Sequence, residues 1–370
     1  MNLKEKIKNL PSTPGVYLYK DSLNNIIYVG KARNLKRRVG NYFQNSKSHS
    51  SKVEKLIKHL KDFEYRLTDT EFEALLLECR LIKEYKPMYN SQMNRTQSYT
   101  YILVQKDNPL PTIKNTRNPI AKEEDLLFGP YTSKNTVEKA LEDIKAYYQI
   151  LCSNPSINNR LCLNYSLGKC LGMCYKDKAK DEYKRRVEKI ISLLEGTDTS
   201  ILEELKEKMR SESMAQHFEA AAKYKEILNS VNYLISKEKI VDFAKENKKI
   251  GMIEDIEGGL KLFLIQGNAM LFSKRYLFSH QNQEQIHEDI KTNILSCFTE
   301  DEASPSIILN KDNLDETQII YSYINKKSSK TIEIHDDWLN TKNQTKLDEG
   351  VAKLLEQAIS LSSNLNSDLS

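Results

Sequence analysis

The chain has 370 residues, 39% of them hydrophobic and 29% charged, which suits two or three globular domains and excludes a disordered or fibrous protein. No apolar run approaches the roughly eighteen residues of a membrane span, and the opening MNLKEKIKNLPSTPG lacks the apolar stretch of a secretory signal, so the expected location is the cytoplasm, with no membrane partner. Net charge is +5 but uneven: residues 1–90 carry 13 Lys and 5 Arg against 3 Asp and 7 Glu, and the remainder is mildly acidic.

A basic N-terminal module suits a polyanionic partner, and it equally suits a lysine-rich solvated surface. The six cysteines of a reducing compartment favour metal binding or free thiols over disulfides.

The elements follow in chain order. Residues 15–20 (GVYLYK) and 25–30 (NIIYVG) are short β-rich runs around a turn at Asp21-Ser22-Leu23-Asn24, a hairpin pattern. Leu35, Val39 and Tyr42 recur at helical spacing after Asn34, a plausible N-cap. A second helix fits residues 51–61, and residues 63–68 alternate like a strand. Asp69 or Thr70 then caps a helix that Pro87 stops.

Strands are expected at 99–105 and 111–117, a turn at Phe128-Gly129-Pro130-Tyr131, and a helix over 134–150. A cysteine-containing stretch spans 152–174, a charged helix 178–195, and a helical hairpin 200–236. Residues 250–277 read as strands with a hairpin turn at Gly258-Gly259. A helix near 284–297, strands at 305–309 and 330–335, and a helix at 344–361 complete the chain.

The first ninety residues concentrate chemistry. Tyr17 and Tyr28 sit on the two strands of one hairpin, Lys31 follows the second, and Arg38 and Tyr42 share a helix face. Glu78 stands in the apolar run Ala74-Leu75-Leu76-Leu77, where a carboxylate is costly to bury unless it is paired or binds a cation. Taken singly, each of these residues is an ordinary packing or surface residue; their order and spacing make the pattern.

The series Gly15-Val16-Tyr17, Tyr28-Val29-Gly30-Lys31, Arg38, Tyr42, Glu78 and Pro87-Met88-Tyr89-Asn90 resembles the GIY-YIG nuclease motif. The phrases LPSTPGVY, YVGKARNLKRR and EALLLECRLIKEYKPMYN are similar, more narrowly, to the N-terminal nuclease of the bacterial excinuclease family UvrC. Both triplets carry Val in place of Ile, a conservative change.

The resemblance implies a role for each position. Tyr28 would activate the attacking water, with Lys31 as a cation that lowers its pKa. Arg38 would grip the scissile phosphate. Glu78 would be the one protein ligand of Mg²⁺ or Mn²⁺. Tyr17, Tyr42 and Asn90 would hold the network and the metal's waters.

Cys152, Cys162, Cys170 and Cys174 follow the spacing C-x9-C-x7-C-x3-C. The close pairs of zinc ribbons are absent, and four thiolates also suit an iron–sulfur cluster. The phrase RLCLNYSLGKCLGMC is similar to a four-cysteine segment of the same family, which implies a [4Fe–4S] cluster, with Zn²⁺ or buried thiols as alternatives. Cys79 and Cys297 read as packing residues.

Residues 199–237 resemble the family's UVR hairpin through Leu205, Met209, Phe218, Glu219, Ala220 and Ala221, which implies docking onto a UvrB-like partner. Tyr224-Lys225-Glu226 stands where the family often has Arg-Asp. An intramolecular hairpin is the plainer reading. Similarity beyond residue 238 is faint, with Gln266-Gly267-Asn268 replacing an arginine–glycine pattern.

The expected fold class is α+β: a GIY-YIG domain with a small antiparallel sheet flanked by helices (1–97), a linker region with the four cysteines (98–198), the hairpin (199–237), and a C-terminal mixed α/β region of unassigned role (238–370). The resemblance implies a shortened member, ending before the family's RNase H-like nuclease and helix-hairpin-helix motifs. The implied activity is the 3′ incision of lesion-bearing double-stranded DNA in nucleotide excision repair; the alternative is a non-catalytic UvrB-binding regulator.

Overall fold

A computed structural model describes residues 3–43, 50–90, 99–106, 110–152, 162–299, 313–326, 328–340 and 344–359. The chain divides into two compact units, Met1–Thr96 with Phe243–Ser370, and the intervening Gln97–Asp242. The fold class is the expected α+β mixture.

The first unit begins with α1 (Leu3–Lys8), β1 (Gly15–Lys20), β2 (Ile26–Ala32), α2 (Leu35–Asn41), α3 (Ser51–His59), β3 (Asp62–Leu67) and α4 (Glu71–Tyr85). The strands form an antiparallel sheet in the order β2-β1-β3. Asp21 shapes the β1–β2 turn by accepting hydrogen bonds from the backbone N–H groups of Leu23 and Asn25, both at 2.9 Å. Asn34 caps α2 as expected, its side chain accepting from the Arg37 N–H at 2.8 Å.

Every residue of β1 is buried, because both faces of this central strand are covered. Tyr17 and Tyr19 point into one core with Leu35, Val39 and Phe63. Val16 and Leu18 point into the other, against Ala74, Leu81 and Ile82 of α4.

Helix α4 opens with a full capping box: the Thr70 hydroxyl accepts from the Glu73 N–H, and the Glu73 carboxylate accepts from the Thr70 N–H. It closes on Lys86 in the left-handed region, directly before Pro87.

The second unit contains β4 (Thr100–Gln105), β5 (Thr112–Thr116) and β6 (Leu126–Tyr131) in the order β5-β4-β6. Its helices are α5 (Lys134–Tyr147), α6 (Leu163–Ser166), α7 (Lys178–Leu194), α8 (Ser200–Met214) and most of α9 (Phe218–Glu246). The Phe128–Tyr131 segment, expected as a turn, is the end of β6. Gly129 takes φ 108°, and the register of β4 on β6 shifts between Thr100 and Ile102 to accommodate it. One core joins the sheet, α5, α7, α8 and α9, through Ile102, Val137, Ile144, Val187, Leu205 and Val231.

Helix α9 outruns its expected end near residue 236. No Gly or Pro interrupts ISKEKIVDFAKE, and the helix stops only at Asn247, which adopts φ 49°.

The first unit resumes with β7 (Lys249–Ile256), β8 (Gly259–Gln266), β9 (Ala269–Leu277), α10 (Gln283–Thr299), α11 (Leu314–Ile324), β10 (Lys330–Ile334) and α12 (Gln344–Ile359). The strands form an antiparallel sheet in the order β10-β7-β8-β9. Leu260, Leu262 and Leu264 of β8 face Ile290 of α10 and Val351 of α12. Phe263 and Ile265 face the opposite way, into a core with Phe72, Leu76 and Cys79 of α4 and Ile320 of α11. The strand expected at 305–309 lies outside the described residues. No helix among the described residues is long and apolar enough to cross a membrane.

Candidate active site

Of the motif residues, Tyr17, Tyr28, Gly30, Lys31, Arg38 and Glu78 line one open cleft of about 570 Å³ together with Glu71, whereas Tyr42 and Asn90 are not among its lining residues. The pleat explains how the hairpin delivers them. Tyr17 on β1 lies directly opposite Gly30 on β2, and Tyr19 lies opposite Tyr28. A Cβ on Gly30 would sit 2.4 Å from the Tyr17 hydroxyl oxygen, so only glycine lets this phenol cross the strand. The Tyr17 hydroxyl meets that of Tyr42 at 3.1 Å, and the Arg38 guanidinium lies over the Tyr42 ring, 5.6 Å from its centroid.

Glu78 enters the cleft from α4. Its Oε1 accepts the Lys31 backbone N–H at 2.9 Å, and its other oxygen takes no protein hydrogen bond among the described residues. Burial raises the Glu78 carboxyl above its ordinary pKa, against the Lys31 N–H and the charges of Lys31 and Arg38. A desolvated carboxylate with one oxygen held and one available fits a divalent cation, whose charge would offset that burial.

Burial also pushes the Tyr28 phenol up, helped by Tyr42 and by the negative charge of Glu78. Lys31 is engaged elsewhere: its ammonium is 2.5 Å from Glu71 Oε1, and Arg33 Nε reaches Glu71 Oε2 at 3.1 Å. Asn90 ties the chain after α4 back to β2, its side chain accepting from the Val29 N–H and donating to the Val29 carbonyl, both at 2.9 Å.

Two residues at this site, one lining the cleft and one buried beside its tyrosines, carry no motif signal in the sequence. Glu71 holds both Lys31 and Arg33; the available signal was its place seven residues before Glu78, two turns along the same helical stripe. Tyr19 is fully buried beside Tyr17, Tyr28 and Tyr42, with its hydroxyl unpartnered among the described residues. Its alternation with Tyr17 on β1 was the signal there.

The cysteine stretch folds back on itself. Leu151 N–H donates to the Lys169 carbonyl, and Leu171 N–H to the Gln149 carbonyl, which brings the strand before Cys152 alongside Cys170. Cys170 and Cys174 are buried, and Cys152 and Cys162 are half-buried. Burial raises the Cys170 thiol, with the neighbouring Cys162 and Cys174 adding to it. No three of these sulfurs lie within 4.8 Å of one another among the described residues. A zinc tetrahedron would need about 3.8 Å between sulfurs. Cys79 is buried in the core, and burial pushes its thiol up to about 12. Cys297 is half-buried against the core of the second sheet.

Along the hairpin, Leu205 is fully buried and Ala221 nearly so, in the core of their own unit. Met209 is half-buried, whereas Phe218 is 66% exposed and neighbouring Met214 is 77% exposed.

Residues 13–91 match the UvrC-like GIY-YIG domain, and residues 99–193 match the middle domain of UvrC/Cho excinuclease. The UvrABC system protein C of Alkaliphilus oremlandii is 33% identical over 341 residues, covering 90% of this chain and 55% of the relative. That of Clostridioides difficile is 35% identical over 348 residues, covering 90% and 56%. The chain thus spans about half the length of the curated relatives it matches. Among solved structures, the GIY-YIG N-terminal endonuclease domain of UvrC from Thermotoga maritima, bound to its catalytic magnesium, is 35% identical; it covers 24% of this chain and 99% of its own, with a TM-score of 0.22.

Proposed function

We propose, from the premise that this chain belongs to the UvrC family, that it is a metal-dependent endonuclease hydrolysing one phosphodiester bond of damaged double-stranded DNA, on the 3′ side of the lesion. The observation that carries this reading is the joint placement of Tyr28, Arg38 and Glu78 on one open cleft of a basic module.

The residues divide the work. Glu78 would hold Mg²⁺ or Mn²⁺, its geometry set by the Lys31 backbone N–H. The bound cation would supply positive charge at the scissile phosphate and a more acidic water. Arg38 faces the same cleft and neutralises charge that develops on the phosphate oxygens as the water attacks. Tyr28, acting as its phenolate, takes the water's proton; the water oxygen bonds to phosphorus, the bond from phosphorus to the 3′ oxygen breaks, and that oxygen takes a proton from solvent, leaving a 3′-hydroxyl and a 5′-phosphate. Burial first, then Tyr42 and the charge of Glu78, hold the Tyr28 phenol up, and a cation on Glu78 would remove the last of these. Tyr17 and Tyr42 position this phenol, and Asn90 fixes the strand that carries it. Lys31 acts through Glu71 and its own backbone, rather than as a cation on Tyr28.

The four cysteines hold a [4Fe–4S] cluster in this reading. Their fold-back and their buried or half-buried setting support it. The α8–α9 hairpin docks on a UvrB-like partner through the exposed tip at Met214 and Phe218, while Leu205 and Ala221 hold the hairpin on its own unit.

The test is nicking of a plasmid carrying bulky adducts, with Mg²⁺ or Mn²⁺, for wild type and Glu78→Ala, with and without UvrA and UvrB. Metal-dependent nicking lost in the variant supports the nuclease, and dependence on those two proteins supports the repair role. Binding to UvrB without nicking under any condition overturns the nuclease in favour of a regulator.

A further inference from the structure

Strand β8 carries a buried charge that the chemistry above does not use. Lys261 is 7% exposed, and its ammonium lies 2.6 Å from Asp69 Oδ2 and 2.5 Å from Glu73 Oε1. Directly across the sheet on β9 stands Arg275, a like charge that would ordinarily destabilise the pair. Both cations clasp the same carboxylate: Arg275 reaches Asp69 Oδ1 at 3.0 Å. Burying an ammonium is costly unless good partners surround it, and here two carboxylates do.

Those carboxylates start helix α4. Glu73, the third residue of the helix, closes the capping box, and its Oε2 accepts from the N–H groups of Asp69 and Thr70 at 3.1 and 3.3 Å. Its Oε1 is the atom that Lys261 holds. The same first turn presents Glu71 to Lys31 and Arg33, and two turns on the same stripe presents Glu78 to the cleft. The far face of this helix, Phe72 and Leu76, packs against Phe263, two residues from Lys261.

We propose that Lys261 is a positioning residue of the nuclease centre: by bracing Asp69 and the Glu73 of the Thr70–Glu73 capping box it fixes the start of α4 and so the placement of Glu71 and Glu78. The proposal rests on the nuclease reading for its consequence, but its geometry is separate from it. It gives the 249–277 sheet a task in the cleft that none of its own side chains lines.

The experiment is Mn²⁺ binding by the whole chain, followed as the loss of the free-ion paramagnetic signal, alongside Mn²⁺-dependent nicking. Lys261→Met, similar in length and uncharged, is expected to weaken Mn²⁺ binding on the order of ten-fold, as loss of a group orienting a metal ligand does. Lys261→Arg should recover most of that loss. Combining Lys261→Met with Asp69→Asn and Glu73→Gln should recover part of it, because the stranded charges are then gone and Gln still caps. Should Lys261→Met fail to fold, Glu73→Gln alone, which keeps the capping box and weakens the ammonium's hold, should weaken Mn²⁺ binding about three-fold.

A Lys261→Met protein that melts earlier but binds Mn²⁺ like wild type makes the cluster structural only and overturns the proposal. So does wild-type Mn²⁺ binding by Glu73→Gln. Wild type that binds Mn²⁺ through Glu78 yet never nicks DNA removes the nuclease reading and leaves the positioning test standing on binding alone.

Discussion

Tyr17 and Gly30 face each other across the β1–β2 ladder, and the tyrosine occupies the space that a side chain on residue 30 would fill. A Cβ there would lie 2.4 Å from the hydroxyl oxygen and 2.5 Å from the ring carbon bearing it. Gly30→Ala is therefore expected to destabilise the first unit by about 1–3 kcal/mol and to displace Tyr17 from Tyr42. Removing only the hydroxyl does not clear the clash, so Tyr17→Phe should fail to rescue Gly30→Ala. Thermal melts of the two single variants and the double variant decide this; restored stability in the double would refute the steric account.

Glu78 is kept where burial opposes its charge. Its folded pKa lies above its unfolded one, so the ionised form is destabilising and the native state gains stability as pH falls through that folded value. Glu78→Gln should accordingly raise the Tm of the metal-free protein at pH 7, by roughly 2 °C, while abolishing nicking. A lowered Tm would mean that the carboxylate is held by favourable contacts instead.

The same raised pKa sets how acid acts on metal binding. Protons compete with the cation for Glu78, and they do so at higher pH than for an ordinary glutamate near ~4.3. Mn²⁺ affinity should fall as pH drops, beginning above that ordinary range and approaching ten-fold per unit once the carboxyl is largely protonated. A binding curve flat down to about pH 4.5 would exclude this competition.

Arg38 should separate from Glu78 in kinetics. Arg38→Ala is expected to lower kcat on the order of a hundred-fold, as removal of a transition-state donor does, while Mn²⁺ binding stays near wild type. Arg38→Lys should recover only part of the rate, because an ammonium lacks the planar two-point grip on phosphate. Loss of metal affinity in Arg38→Ala would assign the arginine to the metal site.

The cleft is largely legible in the sequence because its parts are local: a turn sets one hairpin, and a short helix follows it. Tyr17, Tyr28, Arg38 and Glu78 can be placed on faces from spacing alone. The partner of Lys31 cannot, because Glu71 lies forty residues on and reads as an ordinary first-turn acid. The apolar run around Glu78 reads as a puzzle of one buried carboxylate. Its fuller cause is that α4 is covered twice, by the β1–β2 sheet through Ala74, Leu81 and Ile82 and by the β7–β9 sheet through Phe72, Leu76 and Cys79. The second sheet comes from residues beyond 248, and no local pattern announces a contact that distant. The β6 end differs for another reason: Gly-Pro is a turn signal, and only pairing to β4 turns it into strand.

The discontinuity of the first unit has a consequence during synthesis. Residues 97–242 are translated between its two halves. At ordinary elongation rates of about 5–20 residues per second, the N-terminal half waits roughly 7–30 s for the strands that cover Phe72 and Leu76. Through that interval a nascent chain would display an apolar helix face beside a complete set of cleft residues. The first unit thus reaches its final stability only after the strands of its second sheet have emerged.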